Sequence, residues 1–260
     1  MVAEADIFGR NPPMPHCRTN CRTKCRIYLD QPLNVGHEAT IPADQAHYLR
    51  HVMRLVAGDP ITLFNGEGGE FEASITHLGK QGGSCDVESF RDVDREMPLR
   101  VHIIQCANKS EKIEIVLQKA TELGAASFQV TSSERSQFKL PANKLEGRLS
   151  RWQKIIIEAA EQSERTAIPS LTWRQALEHV EVHGAAYALH PEGAADWQTI
   201  RASIGEVSDI TLAVGPEGGF SQRDLETLEK LGFKSLTFGP RVMRTETAAP
   251  ALTAAIQAIL

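Results

Sequence analysis

The sequence has no stretch approaching the roughly 20 apolar residues that cross a membrane, which argues against a membrane protein. Its opening, MVAEADIFGRNPPMPHC, lacks the basic flank and apolar centre of a secretory leader, so a cytoplasmic setting is expected. An overall basic excess is missing too. The net charge of −5 excludes a surface coated in cations, but a local patch can still contact phosphates. One such asymmetry runs from His16 to Arg54, where six Lys or Arg face three acids. Aromatics are scarce at 6%, while 42% hydrophobic and 23% charged residues are ordinary for a soluble α/β protein. At 260 residues the chain has room for one large domain or two modest ones.

Several catalytic signatures are absent as well. There is no Gly-Lys-Ser/Thr ending that would make a phosphate-binding P-loop, no G-x-G-x-x-G and no G-x-S-x-G elbow. The five cysteines are an odd number and do not suggest a disulfide framework. Three of them form Cys17-x3-Cys21-x3-Cys25, a spacing that could ligate a metal or iron–sulfur cluster, although no fourth ligand is near. The plainer reading is a Pro-flanked polar tail over residues 1–25, expected to be disordered, and no metal is assigned. His47-x3-His51 also has ligand spacing but no third partner, and reads as a solvated or RNA-facing helix surface.

What is present falls into two rhythms. From Arg26 to Phe90, short alternating runs separated by Gly-containing turns predict a small β-barrel or sandwich. One helix interrupts it, with Ala46, Leu49, Val52, Met53 and Val56 at helical spacing. Arg91 to Pro98 is charged, ends in Pro and reads as a linker. After it, strands alternate with helices, which means βα units on a mostly parallel sheet. Gly124 is expected to close the helix in KIEIVLQKATELG, and Ser221 with Asp224 to cap another as a capping box.

Three loops leave strand ends in this second part: Leu189-His190-Pro191, Gly215 to Gly219, and Gly239 to Arg244. In an open parallel sheet the ligand sits outside the carboxyl ends of the strands. Glycine permits φ > 0 and close approach to a ligand, and Gly218 is expected to need both.

Taken together, LHP, VGPEGGFS and GPRVMRTETA resemble the SPOUT superfamily of S-adenosylmethionine-dependent RNA methyltransferases. Within it they are similar to the ribosomal small-subunit RNA methyltransferase E family, which methylates N3 of a uridine in 16S ribosomal RNA. RIYLDQPL, KSEKIEIVLQKATELGA, SERS and RWQKIIIEAAEQSER match as well, so the resemblance covers Arg26 to Leu260. Phe238 and Met243 stand where the family usually has Leu, and the cysteine tail is extra.

The resemblance implies a PUA-like RNA-binding β domain over 26–95 and a SPOUT α/β domain over 99–260 whose end threads a trefoil knot. It implies S-adenosyl-L-methionine held by Leu189, His190, Gly215, Pro216, Glu217, Gly218, Gly219, Leu236, Phe238, Gly239, Val242 and Met243. The partners implied are a second copy of the chain and small-subunit rRNA within the assembled 30S subunit. For the chemistry, Arg244 or Arg241 would stabilise charge developing on the uracil oxygens, and Glu246 or Glu217 would accept the N3 proton. Arg26, Arg50, Arg54 and Lys109 are the candidate phosphate contacts. The rival reading is a non-catalytic ribosome-assembly module that binds RNA and keeps the fold.

Overall fold

The structure is a computed structural model that describes residues 25–136 and 141–260. The tail expected over 1–25, with Cys17 and Cys21, therefore lies outside the described residues except at its last position. Cys25 begins the first strand and is buried in the core of the β domain. It packs as a core side chain, and burial pushes its thiol up to about 11.

The N-terminal part is built on β1 (Cys25–Tyr28), β2 (Glu38–Ile41), β3 (Pro60–Phe64), β4 (Glu70–Gly79) and β5 (Gly82–Arg91). They form one sheet in the order β1-β3-β4-β5-β2, with β1 parallel to β3 and the other pairs antiparallel. Two register shifts in β4, at Glu72/Ala73 and Ile75/His77, are bulges that increase the twist and curl of the sheet. The edge strands β1 and β2 are not paired with each other, so the expected barrel is a curled, open sheet. Helix α1 (Ala43–His51) packs on it through Ala46 and Leu49. The helical pattern read as far as Val56 stops at His51. Val52 and Val56 stand exposed, and Arg54 takes a positive φ of 56° in the turn that follows.

The second part carries β6 (Arg100–Cys106), β7 (Ala125–Thr131), β8 (Ser170–Arg174), β9 (Ala185–Leu189), β10 (Asp209–Val214) and β11 (Lys234–Leu236). Every pair in the order β11-β9-β10-β6-β7-β8 is parallel. β6 and β10 sit at the centre and are buried almost throughout, as near-continuous apolar strands must be when both faces are covered. On one face lie α2 (Ser110–Glu122), α3 (Ala142–Gln162), α4 (Trp197–Ser203) and α6 (Thr245–Gln257), around Trp152, Ile200 and Leu252. On the other lie a 3₁₀ turn at Leu177–His179 and α5 (Gln222–Lys230), around Phe220, Leu228 and Phe233. Gly124 follows α2 at φ +93°, the left-handed cap expected there. β8 and α4 are elements the sequence pattern did not suggest.

The segment read as a linker is a clamp. Glu96 receives the guanidinium of Arg165, a side chain just past α3 that also donates to the Thr121 and Ala125 carbonyls at 3.0 and 2.8 Å. Arg95 bonds Glu70 at 3.1 Å, and Arg91 pairs with the same carboxylate. Arg26, expected to meet phosphate, belongs to this cluster. Its side chain is only 8% exposed, lies 3.5 Å from Glu70 and stacks 3.8 Å over the Phe64 ring. That burial removes it from the RNA-contact set. Tyr28 N–H donates to Glu161 of α3 at 2.8 Å, so the β domain is docked on the C-terminal end of that helix.

A second polar cluster joins the amino ends of β6, β7 and β10. His102 Nε2 lies 2.9 Å from Asp209 Oδ1, and its Nδ1 lies 2.7 Å from Ser127 Oγ. Ser208, His102 and Arg100 all donate to Asp209 and hold its carboxyl well below the usual carboxylate range. Burial pushes His102 down, so the folded imidazole stays neutral.

Two stability predictions follow from these clusters. Arg165→Met removes the partner of a largely buried carboxylate and two carbonyl contacts. It should cost about 3–5 kcal/mol in chemical denaturation, the usual loss for breaking one side of a buried pair; a loss under about 1 kcal/mol would mean that the clamp is solvated. Acid should also destabilise the chain in two stages. His102 binds fewer protons folded than unfolded, so stability falls as pH drops below about 6.5. The Asp209 contribution is complete above about pH 4 and is lost as pH falls toward its depressed folded value. Asp209→Asn should therefore lower the melting temperature at pH 7 and make the decline below pH 4 shallower; an equally steep decline would place that stability elsewhere.

Candidate active site

The carboxyl ends of β9, β10 and β11 release three loops onto a single cavity of about 730 Å³. Backbone hydrogen bonds knit them. His190 N–H donates to Leu236 O at 2.9 Å, and Thr237 Oγ1 donates to His190 O at 3.1 Å. Gly193 lies so flat on β11 that an added Cβ would come within 2.5 Å of Leu236 backbone. Only glycine allows that approach.

In the loop after β10, Gly219 N–H closes a turn onto Pro216 O at 2.9 Å. The residue in the left-handed region is Gly219, at φ +66°, and not Gly218 as expected. A Cβ on Gly218 would meet only Arg135 side-chain carbons at 3.5 and 3.6 Å, an ordinary contact. Arg135 itself donates to the Gly218 and Phe220 carbonyls at 3.0 and 3.3 Å, bracing the loop from outside. Ser221 and Asp224 form the capping box read in the sequence. Asp224 also accepts from Glu134 N–H at 3.1 Å, which ties the loop after β7 to the same place.

The third loop returns under the first two. Thr245, buried at the start of α6, donates to Gly215 O at 2.8 Å and accepts from Gln105 Nε2 at 2.9 Å and Asn108 Nδ2 at 3.3 Å. This pins the C-terminal segment to the end of β6.

All twelve residues read as cofactor contacts line the cavity, and so do Arg241 and Arg244. The walls are apolar at Leu189, Val214, Leu236, Phe238 and Ala248, and Phe238 is steadied by the edge of Trp197 at 5.4 Å. Arg244 projects outward, 83% exposed, with Nη1 4.0 Å from Glu246 Oε1. Val242 lines the rim and is largely exposed. Glu246 does not line the cavity. It stands one layer back, 15% exposed, with Oε2 3.4 Å from Lys112 Nζ. Lys112 does line it and reaches Glu217 Oε1 at 3.2 Å. Hydrogen bonding to Glu217 leads the influences that raise the Lys112 ammonium above its ordinary value.

Lys112, Thr245, Gln105 and Arg135 were missed by the sequence reading. Lys112 lies one helical turn beyond Lys109, so the KSEK string drew notice to the neighbouring residue. Lys109 itself is exposed at the start of α2, and Arg50 and Arg54 are exposed on and just after α1. These three are on surfaces that an RNA chain can reach; Arg26 is not.

Comparison with known proteins agrees with this geometry. Residues 95–257 match the RNA methyltransferase domain and residues 41–88 the RNA methyltransferase PUA domain. The ribosomal RNA small subunit methyltransferase E of Synechocystis is 33% identical over 228 residues, covering 85% of this chain and 73% of that protein. Its Bacillus subtilis counterpart is 31% identical over 218 residues, covering 80% and 85%. Among solved structures, a Legionella pneumophila methyltransferase in complex with its bound cofactor SAM superposes with a TM-score of 0.84, at 34% identity over 90% of this chain and 97% of the other. The Neisseria gonorrhoeae small subunit methyltransferase E, bound to S-adenosyl methionine, gives 0.82 at 31% identity over 91% and 98%. With its RNA methyltransferase domain spanning more than half its length behind a PUA domain, the chain belongs to the ribosomal RNA small subunit methyltransferase E family.

Proposed function

We propose that the chain methylates N3 of a uridine in small-subunit (16S) ribosomal RNA, using S-adenosyl-L-methionine. The observation that carries this reading is the single cavity made by three strand-end loops. Its size suits a nucleoside-sized ligand, and its lining is mainly apolar with a few polar groups, as ligand sites are. Apolar walls at Leu189, Leu236 and Phe238 would hold the adenosine. Backbone groups of Gly215 to Gly219 and Gly239 would meet its polar edges, and the Glu217 carboxylate suits a cationic ligand. When bound, the cofactor supplies an electrophilic methyl group on a sulfonium.

The chain's own residues then have two tasks. Uridine N3–H is a weak acid whose proton must leave before the nitrogen can form a new bond. Glu217, on the cavity wall, is the better placed acceptor, because Glu246 stands behind Lys112. Arg244, and Arg241 beside it, would donate to the uracil oxygens as negative charge develops there. The PUA-like domain (26–95), with Arg50 and Arg54, and Lys109 on the methyltransferase domain (99–260) would position the RNA through its phosphates.

The same reading includes a cytoplasmic setting, the 30S subunit as substrate, a trefoil-knotted end of the chain and a homodimer. The return of the chain at Thr245 beneath the β10 loop supports the knot. The exposed apolar side chains of Val242, Ile115 and Leu260 support a second subunit. Among the described residues no helix is long and apolar enough to cross a membrane. A non-catalytic assembly factor has no need of a cavity of this kind. Calorimetry with S-adenosyl-L-methionine and mass spectrometry of rRNA after incubation decide between the two: no cofactor binding and no added methyl group would establish the binder.

Gly219→Val places a β-branched residue at φ +66°, a strain of about 1–3 kcal/mol. It should weaken cofactor binding roughly 10-fold or more while the fold survives. Gly218→Ala should stay within a few-fold, and the reverse order would move the critical turn to Gly218. Arg244→Ala should lower single-turnover methyl transfer by about 10²–10³ at nearly unchanged cofactor affinity, the usual loss for one charge-stabilising donor. Arg244→Lys should restore only part of it, since a point charge lacks the planar fork. A rate within a few-fold of the parent would shift the role to Arg241.

A further inference from the structure

Three elements meet at one ammonium group. Lys112 is in the first turn of α2, Glu217 is in the loop after β10, and Glu246 is in the first turn of α6. Lys112 Nζ lies 3.2 Å from Glu217 and 3.4 Å from Glu246. Side-chain exposure rises along the chain of contacts, from 15% at Glu246 to 25% at Lys112 and 39% at Glu217. Glu246 is thus the fixed end: it sits on a helix, in a first turn where negative charge is favoured. Glu217 is the free end. It sits on a glycine-rich loop, and among the described residues its salt bridge is to Lys112. The competing carboxylate on this stretch of α2, Glu114, is already held by Arg151 at 2.8 Å.

A carboxylate that must take a proton from a bound base has to be held within hydrogen-bond reach of it, and a loop alone does not do that. We propose that Lys112 is the positioning residue of the proton-accepting step: anchored by Glu246, it holds the Glu217 carboxylate against the cavity and fixes the loop that carries it. This rests on the reading of Glu217 as acceptor given above. The proton passes from N3 to a Glu217 oxygen, the N–H electron pair stays on nitrogen for the new bond, and the proton leaves to water in turnover. Lys112 remains an ammonium throughout and exchanges no proton with the substrate. The arrangement also explains why Glu246, off the cavity wall, sits in the GPRVMRTETA string beside the two arginines. Its work is done at one remove.

The test compares the full-length chain with Lys112→Met and Lys112→Arg. At saturating cofactor and small-subunit rRNA, Lys112→Met should slow single-turnover transfer roughly 10- to 100-fold. Cofactor affinity should fall clearly less than the rate, because the loop's backbone also meets the cofactor, and the difference separates the chemical step from binding. Lys112→Arg keeps the charge and should recover most of the rate. In a Glu217→Gln background, Lys112→Met should cost nothing further, because the group it positions is already gone. Losses that add in full would show Lys112 acting on the substrate itself and would overturn the proposal, as would an undiminished rate in Lys112→Met. Hydrogen exchange gives a readout independent of methylation. Amides from Gly215 to Phe220 should exchange faster in Lys112→Met and at the parent rate in Lys112→Arg. Unchanged exchange in Lys112→Met overturns the proposal whether or not the chain methylates RNA. A parent chain that transfers no methyl group to rRNA sinks the functional reading instead.

Discussion

The Thr245 hydroxyl is the contact on which the cavity depends. It is buried, donates to the Gly215 carbonyl and accepts from Gln105, so one oxygen ties the start of α6 to the loop after β10 and to the end of β6. Thr237 and Phe238 hold the start of the segment, through bonds to His190 and Ala195 and the edge of Trp197, and Thr245 holds its end; Gly239 to Val242 between them are exposed. A buried hydroxyl with both its donor and acceptor capacity used has one orientation. The return of the chain is therefore fixed at a point, and the loop between β11 and α6 is free to be shaped by glycine and proline. The loops form the site because the ends of three parallel strands and one threonine define where they can go.

The clamp between the two domains works by a similar logic on a larger scale. Glu70 draws Arg26, Arg91 and Arg95 toward it, and Arg165 links Glu96 to carbonyls at the end of α2 and the start of β7. Ion pairs like these add little stability over an apolar core, but breaking one side leaves a stranded charge. Their effect here is on geometry. Exposed Arg50 and Arg54 on the β domain thereby keep a defined relation to the cavity on the other.

The parts legible in the sequence were those whose signal is local. Gly-Pro after an apolar run marks a strand end, a capping box shows itself within four residues, and the alternation of strands and helices announces a parallel sheet. Interactions between distant residues left no such mark. Arg26 looked like one more surface cation because Glu70 and Phe64, its partners, come some forty positions later. Lys112 went unnoticed because both its carboxylates, Glu217 and Glu246, belong to other elements. β8 escaped notice because its five residues are almost all half-buried, so neither alternation nor a solid apolar run appears. The expectation of φ > 0 at Gly218 failed by one position, since sequence marks a glycine-rich turn but not which glycine turns it.

A cationic cofactor and a polyanionic RNA make opposite demands on one site, and the structure separates those demands in depth. Glu217 is on the cavity wall with Glu246 behind it, joined by Lys112, so the three groups together carry a net negative charge of one. Arg241 and Arg244 stand at the mouth, exposed, on the loop that Thr245 anchors. An approaching anion meets guanidinium first, since Arg244 is 83% exposed and the two carboxylates are far less so. Such layering needs no basic excess over the whole molecule, which is why a chain of net charge −5 can act on RNA. It also fits the place of Lys112 between Glu217 and Glu246: unpaired, two neighbouring carboxylates would repel each other, and one ammonium between them offsets that repulsion.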